Sequence, residues 1–461
     1  MRYVSTRGSA PELGFGDVLL SGLATDGGLY LPEAWPQAVE SARSGRYVDT
    51  AVDVMWPFVE GEIELGAFEA MVDDAYSSFE ADDVVELVEV APNQWLMELF
   101  HGPTLAFKDV ALQLVGRLFD HQLAKRSTRT TIVGATSGDT GSAAIEACRD
   151  RDAVDIFILH PHGRVSDVQR RQMTTVDSAN VHNIAIEGTF DDCQDLVKAM
   201  FNDPAYRAEV QLGAVNSINW ARVMAQIVYY VVAAQRVAPG GSPVSFTVPT
   251  GNFGNVFAGW AARMMGLPID RFVVASNSND ILTRLFTTGT MAMHEVVPTL
   301  SPSMDIQISS NLERLLFETH GRDGQRIAEM MAEFRDTGSV SLDDAHHASL
   351  GELWSGERVD DEGLGGVLET IAEVHDTSGM LLDPHTAVGL AAARRHPGET
   401  PMVTLATAHP AKFPDAVEQA TGVRPELPER LGDLFARDEH FEVLPNDLAV
   451  VQDHVRANRR G

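Results

Sequence analysis

Lys108 stands in the stretch "ELFHGPTLAFKD" (residues 98–109) and is the first lysine of the chain. Only Lys125, Lys198 and Lys412 follow, and every other member of the 35 basic residues is arginine. Where charge alone is needed, this chain writes arginine. A lysine amine adds something a guanidinium lacks, because it can lose its proton and attack a carbonyl to form an imine. Leu105, Ala106 and Phe107 beside it suggest a partly apolar site, which lowers an amine's pKa. The plainer alternative is a surface lysine whose stem lies along apolar neighbours.

Two glycine-bearing loops supply a second chemistry. In "VPTGNFGN" (248–255) a strand ends, Gly251 and Gly254 bracket Asn252 and Phe253, and the helix "VFAGWAARMMG" follows Asn255. Glycines let the backbone pass close to a phosphate, and helix N-terminal N–H groups supply positive potential. Gly254 is expected at positive φ. No GK[ST] follows, so this is not a P-loop, and a plain turn is the alternative. In "GATSGDTGSA" (134–143), Thr136, Ser137, Thr140 and Ser142 surround Gly138 and Gly141. They read as an N-cap cluster, as an anion-binding loop, or as both. In "LATAHPAKF" (405–413), Thr407 falls where a strand would open onto a site, and His409 reads as a turn residue. An imine-forming lysine and a phosphate cradle suggest pyridoxal phosphate, which also needs a partner for its ring nitrogen.

The elements that must position these residues alternate. Short β-branched runs (128–135, 153–161, 181–188, 244–250, 271–277, 401–407) are separated by helical patterns. Continuous apolar strands alternating with helices predict an α/β fold with parallel sheets covered on both faces. Ligands bind beyond the carboxyl ends of such strands. The chain has 461 residues, 44% of them hydrophobic, and a net charge of −31. That acidity disfavours nucleic acid and anionic membrane surfaces as partners. The longest apolar run, 223–234, is too short to span a bilayer and predicts a buried helix. Cys148 and Cys193 lack metal spacing and read as reduced bystanders of a cytoplasmic protein. The N-terminus carries no apolar signal segment. The texture divides the chain into 1–90, 91–430 and a tail, 431–461, expected to form one or two polar helices.

"HGPTLAFKD", "ATSGDTGSAA", "GNFGN" and "TAHPAKF" together resemble the threonine synthase family, which belongs to the tryptophan-synthase-β-like, fold type II pyridoxal-phosphate enzymes. "YVSTRG", "LATDGGLYLPE", "GRVSDVQRRQMTT", "EGTFDDCQ" and "SPSMDIQISSNLERLLFE" extend the resemblance over nearly the whole chain. It implies two doubly wound parallel-sheet lobes with the cofactor between them, plus an N-terminal α/β or mainly helical domain. It implies that Lys108 carries the cofactor, that Gly251, Asn252, Phe253, Gly254 and Asn255 hold its phosphate, and that Thr407 meets its ring nitrogen. Thr136, Ser137, Asp139 and Thr140 would receive the substrate α-carboxylate, and Asn216, Ser217 and Arg222 of "NSINWAR" its phosphate. No metal is implied. Many relatives carry Asn at the position of Asp139, which here sets a second negative charge near a carboxylate. The implied reaction converts O-phospho-L-homoserine and water to L-threonine and phosphate, in a monomer or homodimer. The alternatives are a related phospholyase, a serine/threonine dehydratase, or a catalytically silent ligand-binding protein.

Overall fold

Short apolar runs pair into two largely parallel sheets in the computed structural model, which describes residues 1–461 except Asp82, Ala214 and Gly461. The first sheet has five parallel strands, in the order Glu442–Pro445, Val181–Glu187, Val154–Pro161, Thr130–Ala135 and Leu212–Gly213. The second has six, in the order Trp354–Arg358, Ile269–Ser276, Val244–Pro249, Met402–Ala406, Gln94–Glu98 and Glu86–Ala91. All its pairs are parallel except the last hairpin. Val154–Pro161 and Val244–Pro249 are buried at every position, as strands covered on both faces must be.

The 223–234 run lies inside the helix Trp220–Val237, whose residues 220–234 are all buried. No helix among the described residues is long and apolar enough to cross a membrane. Trp220 ties this helix to the N-terminal segment. Its ring centroid lies 5.5 Å from Phe58 and 6.0 Å from both Tyr3 and Trp35. The segment itself has a two-stranded antiparallel sheet, Tyr3–Ser5 with Tyr30–Pro32, and the helices Phe15–Ser21, Tyr47–Val59 and Leu65–Tyr76.

Two departures from the sequence reading have physical causes. The expected boundary at residue 90 falls inside the antiparallel hairpin Glu86–Ala91/Gln94–Glu98, so the acidic "ELVEVA" joins the second sheet as its edge strand. An edge strand tolerates charge on its open side, which hides its pattern. The tail, expected to be helical only, contributes the edge strand Glu442–Pro445 before the helix Leu448–Asn458. Only Leu444 of that strand is even half-buried, so no hydrophobic alternation marks it. Val451 and Val455 then pack into the core beneath the first sheet.

Candidate active site

The loops leaving the carboxyl ends of several strands converge between the two sheets, as parallel topology dictates. The strand Gln94–Glu98 leads through residues 99–107 to Lys108, the first residue of the helix Lys108–Arg126. That loop is stitched to the one leaving Met402–Ala406. Phe107 N–H donates to the Thr407 carbonyl (2.9 Å), and His409 N–H donates to that of Leu105 (3.0 Å). Leu105 takes φ 63°, a left-handed conformation for a branched residue. Lys108 is only 8% exposed, which removes the surface-lysine alternative.

Lys108 Nζ lies 3.2 Å from Asp139 Oδ2. Lys412 Nζ, fully buried, lies 2.9 Å from Asp139 Oδ1. Gln169 Nε2 (2.9 Å) and Ser303 Oγ (3.2 Å) also donate to this carboxylate. Burial alone would push the Asp139 carboxyl up, but the charges of Lys108 and Lys412 outweigh it and hold it well below the usual carboxylate range. Burial pushes the Lys108 ammonium down; Asp139 opposes this, and Lys412 and Arg222 add to it. The loop that presents Asp139 needs glycine. Gly138 sits at φ 144°, and a Cβ there would lie 2.5 Å from the Gln169 amide carbon.

The glycine loop 250–254 follows Val244–Pro249 and opens the helix Gly254–Met264. The positive φ expected at Gly254 is instead at Phe253 (φ 60°), whose buried ring stacks near Phe286 and Trp354. Packing of that ring overrides the backbone preference. The two glycines are needed for closeness. A Cβ on Gly251 would lie 3.0 Å from the Ile306 side chain, and one on Gly254 would lie 3.1 Å from Asn311 Nδ2. No side chain caps this helix, so its first-turn N–H groups remain available. Asn255 Oδ1 accepts from the Tyr229 and Tyr230 hydroxyls, leaving buried Nδ2 without a partner among the described residues.

Arg222, in the first turn of Trp220–Val237, is 4% exposed, and its Nε and Nη1 have no partner among the described residues. Burial pushes its guanidinium down to about 10, so it stays charged at neutral pH. Asn219 caps that helix by accepting from Ala221 N–H; the segment "AVNSINWARVMAQ", whose sequence reads as a strand-to-helix turn, begins at Ala214, which lies outside the described residues.

Of the residues singled out from sequence, Lys108, Asp139, Thr140, Ser217, Arg222, Gly251, Asn252, Gly254, Asn255 and Thr407 line one cavity. Thr136, Ser137, Asn216 and Phe253 do not line it. Thr136 Oγ1 accepts from Gly138 and Gly141 N–H groups and shapes the loop, while Ser137 is exposed. Asn216 Oδ1 is buried without a partner among the described residues. Gln226, Ser303 and His385 line the cavity and were not singled out. Gln226 follows Arg222 by one helical turn, a spacing that sequence alone could have flagged. His385 Nδ1 pairs with buried Asp383 (2.9 Å), and its Nε2 accepts from Ser303 N–H (3.2 Å). The Asp383–His385 pair is local, and only tertiary structure brings Ser303 to it. His409, turned to Phe100, is pushed down to about 4 by burial and is neutral at physiological pH. Cys148 and Cys193 are free and buried, with thiols pushed up to about 12 by that burial, so neither is a nucleophile at neutral pH.

A buried lysine amine, a glycine loop at a helix N-terminus and buried donors lacking acceptors fit a ligand that carries an aldehyde and a phosphate. Residues 84–343 match the family described as "Pyridoxal-phosphate dependent enzyme", which sets the class. Residues 2–76 match "Threonine synthase N terminus" and 386–455 match "Threonine synthase, C-terminal". The threonine synthase of Pseudomonas aeruginosa is 55% identical, with 99% of this chain and 98% of that protein aligned. The pyridoxal-phosphate-bound threonine synthase of Brucella melitensis superposes with a TM-score of 0.97 at 53% identity, over 100% of both chains. Yeast threonine synthase gives a TM-score of 0.93 at 37% identity, over 99% of this chain and 98% of that one. The chain belongs to the threonine synthase family.

Proposed function

We propose that the protein converts O-phospho-L-homoserine and water to L-threonine and phosphate, with Lys108 as the residue that holds pyridoxal phosphate. The observation that carries this reading is Arg222, a buried guanidinium facing the Lys108 cavity with two nitrogens unpartnered among the described residues. A buried unpaired cation costs several kcal/mol unless an anion completes it, and a guanidinium fork suits phosphate.

When bound, pyridoxal phosphate supplies an electron sink beside the substrate nitrogen. Gly251, Asn252, Gly254 and Asn255 would present backbone and amide donors to its phosphate, Phe253, whose N–H is held by Thr250 Oγ1, would shape the turn between them, and the Thr407 hydroxyl would meet its ring nitrogen. Thr136, Ser137, Asp139 and Thr140 form the loop assigned to the substrate α-carboxylate. Thr140 supplies a hydroxyl there, Asp139 binds Lys108, and Thr136 shapes the turn. Arg222, with Ser217, binds the substrate phosphate and steadies it as it leaves from Cγ, and Asn216 stands outside the cavity lining. The Lys108 amine, once free, removes and returns protons at Cα and Cβ, which a guanidinium with a pKa above ~12 cannot do. Burial of Lys108 favours the neutral amine that this task requires.

The deciding experiment supplies O-phospho-L-homoserine as sole substrate and identifies the product. Threonine with equimolar phosphate supports the reading. Formation of 2-oxobutanoate, or phosphate release without threonine, overturns it in favour of a dehydratase or phospholyase. A cytosolic location and a monomeric or homodimeric state belong to the same reading; fractionation and sedimentation check them.

A further inference from the structure

Asp139 carries one negative charge and meets two ammonium groups, one on each oxygen. Oδ1 faces Lys412 and Gln169, and Oδ2 faces Lys108 and Ser303. The two lysines are not equivalent. Lys412 is fully buried, and its Nζ has three acceptors for three protons: Asp139 Oδ1 at 2.9 Å, the Thr104 carbonyl at 2.7 Å and Gln172 Oε1 at 3.1 Å. That arrangement satisfies an ammonium and leaves a neutral amine with too few donors. Lys108 Nζ has a single hydrogen-bond acceptor among the described residues, Asp139 Oδ2 at 3.2 Å, and opens onto the cavity. Other charged and titratable groups stand near Lys108. Arg222 faces it from the helix Trp220–Val237, His385 lines the cavity paired with Asp383, and Asp109 turns away to accept from Thr104 N–H and Oγ.

We propose that Lys412 is a positioning residue: a buried countercharge to Asp139, held by three acceptors, that leaves Lys108 no carboxylate of its own. The amine of Lys108 is then held in place by Asp139 without being locked in its charged form. The same pairing accounts for an aspartate in a loop meant for a carboxylate, since Lys412 cancels the added charge. This deepens the reading of Lys108 as the cofactor lysine and rests on it. The test below uses the full chain without cofactor, so it can fail while product identification succeeds, and the reverse.

The chain has only four lysines, so protein grown on 13C-lysine gives four side-chain Cε signals, assignable by single Lys→Arg changes. The titration of Lys108 is followed in four backgrounds. Lys412→Met leaves Asp139 to Lys108 alone and should raise the Lys108 midpoint by about one pH unit or more. Asp139→Asn leaves Lys412 unmatched and should lower it by a similar amount. The double variant removes both charges and should return the midpoint to near the wild-type value. Lys412→Arg, which keeps the charge, should leave it nearly unchanged. If Lys412→Met fails to fold, Asp139→Asn and the double variant still complete the comparison. A Lys108 midpoint that stays within about 0.3 pH units in the folded charge-removing variants, or that moves with the opposite signs, overturns the proposal. A purely structural role for Lys412 would change thermal stability without producing this opposed pair of shifts.

Discussion

Arg222 shows how a single buried residue reveals what must come to it. A surface arginine paired with a carboxylate contributes under about 1 kcal/mol, but Arg222 is buried, and two of its nitrogens are unpartnered among the described residues. Removing a buried charge-assisted contact costs on the order of 2–4 kcal/mol. Arg222→Ala should therefore lower kcat/KM for O-phosphohomoserine at least about 30-fold, with the cofactor absorbance intact. A loss below about fivefold, or an equal loss for unphosphorylated amino acids, removes Arg222 from the phosphate site. Lys108 gives a sharper expectation. Borohydride reduction of the cofactor-loaded protein followed by peptide mass analysis should place the label on Lys108 and not on Lys412, the other lysine at Asp139. Lys108→Arg should keep the fold and abolish turnover, because charge survives and imine chemistry does not.

At the scale of elements, the helix Trp220–Val237 braces the start of the helix Gly254–Met264. The Tyr229 and Tyr230 hydroxyls donate to Asn255 Oδ1, and that of Tyr230 also to the Asn255 carbonyl at 3.0 Å. This bracing fixes which end of the Asn255 amide faces the cavity. The 250–254 loop is held from its other side by Asn311, which donates to the Asn252 carbonyl (3.0 Å) and that of Ser217 (3.2 Å). Valine at position 254 would drive its branch into Asn311 and shift both loops. Gly254→Val should weaken cofactor binding about tenfold or more, a change of roughly 1.4 kcal/mol, and should lower the melting temperature little. Equilibrium dialysis against pyridoxal phosphate measures it, and wild-type affinity would remove the loop from the cradle.

At the scale of the whole molecule, Arg314 joins three distant parts of the chain. It is fully buried and donates to the Tyr30 carbonyl of the N-terminal segment (2.8 and 3.1 Å), to the Ile218 carbonyl (2.7 Å) and to Asn311. Arg7 and Thr6 add contacts from the same N-terminal segment to the adjacent Glu313. The N-terminal segment thus helps place the loops that carry Ser217 and Asn252. Arg314→Met strands buried carbonyls at about 1–3 kcal/mol each. It should lower stability by at least about 2 kcal/mol in urea unfolding and raise KM for the phosphorylated substrate. An unchanged urea midpoint would show that the N-terminal segment and the phosphate loops are independent.

The sequence by itself determined the local chemistry. A lysine at position 108 in an arginine-rich chain, two glycine loops after β-branched runs, and Thr407 after another such run were all legible, because strand ends, turns and helix starts are written in neighbouring residues. The α/β alternation followed for the same reason. What tertiary structure alone decided is which of these residues share a space and how their charges are matched. Asp139 read as an unexplained second negative charge until folding set Lys412, 273 positions away in "TAHPAKF", against one of its oxygens. Ser303 carried no signal, since its contacts with His385 and Asp139 span 82 and 164 residues, and nothing in the local Asp383–His385 pair showed what it would face. The edge strands at 86–91 and 442–445 were likewise silent, being short, charged and half-exposed. Neighbouring residues record backbone preference, but the sign and partner of a buried charge depend on contacts between residues far apart in the chain, which exist only once the sheets have packed.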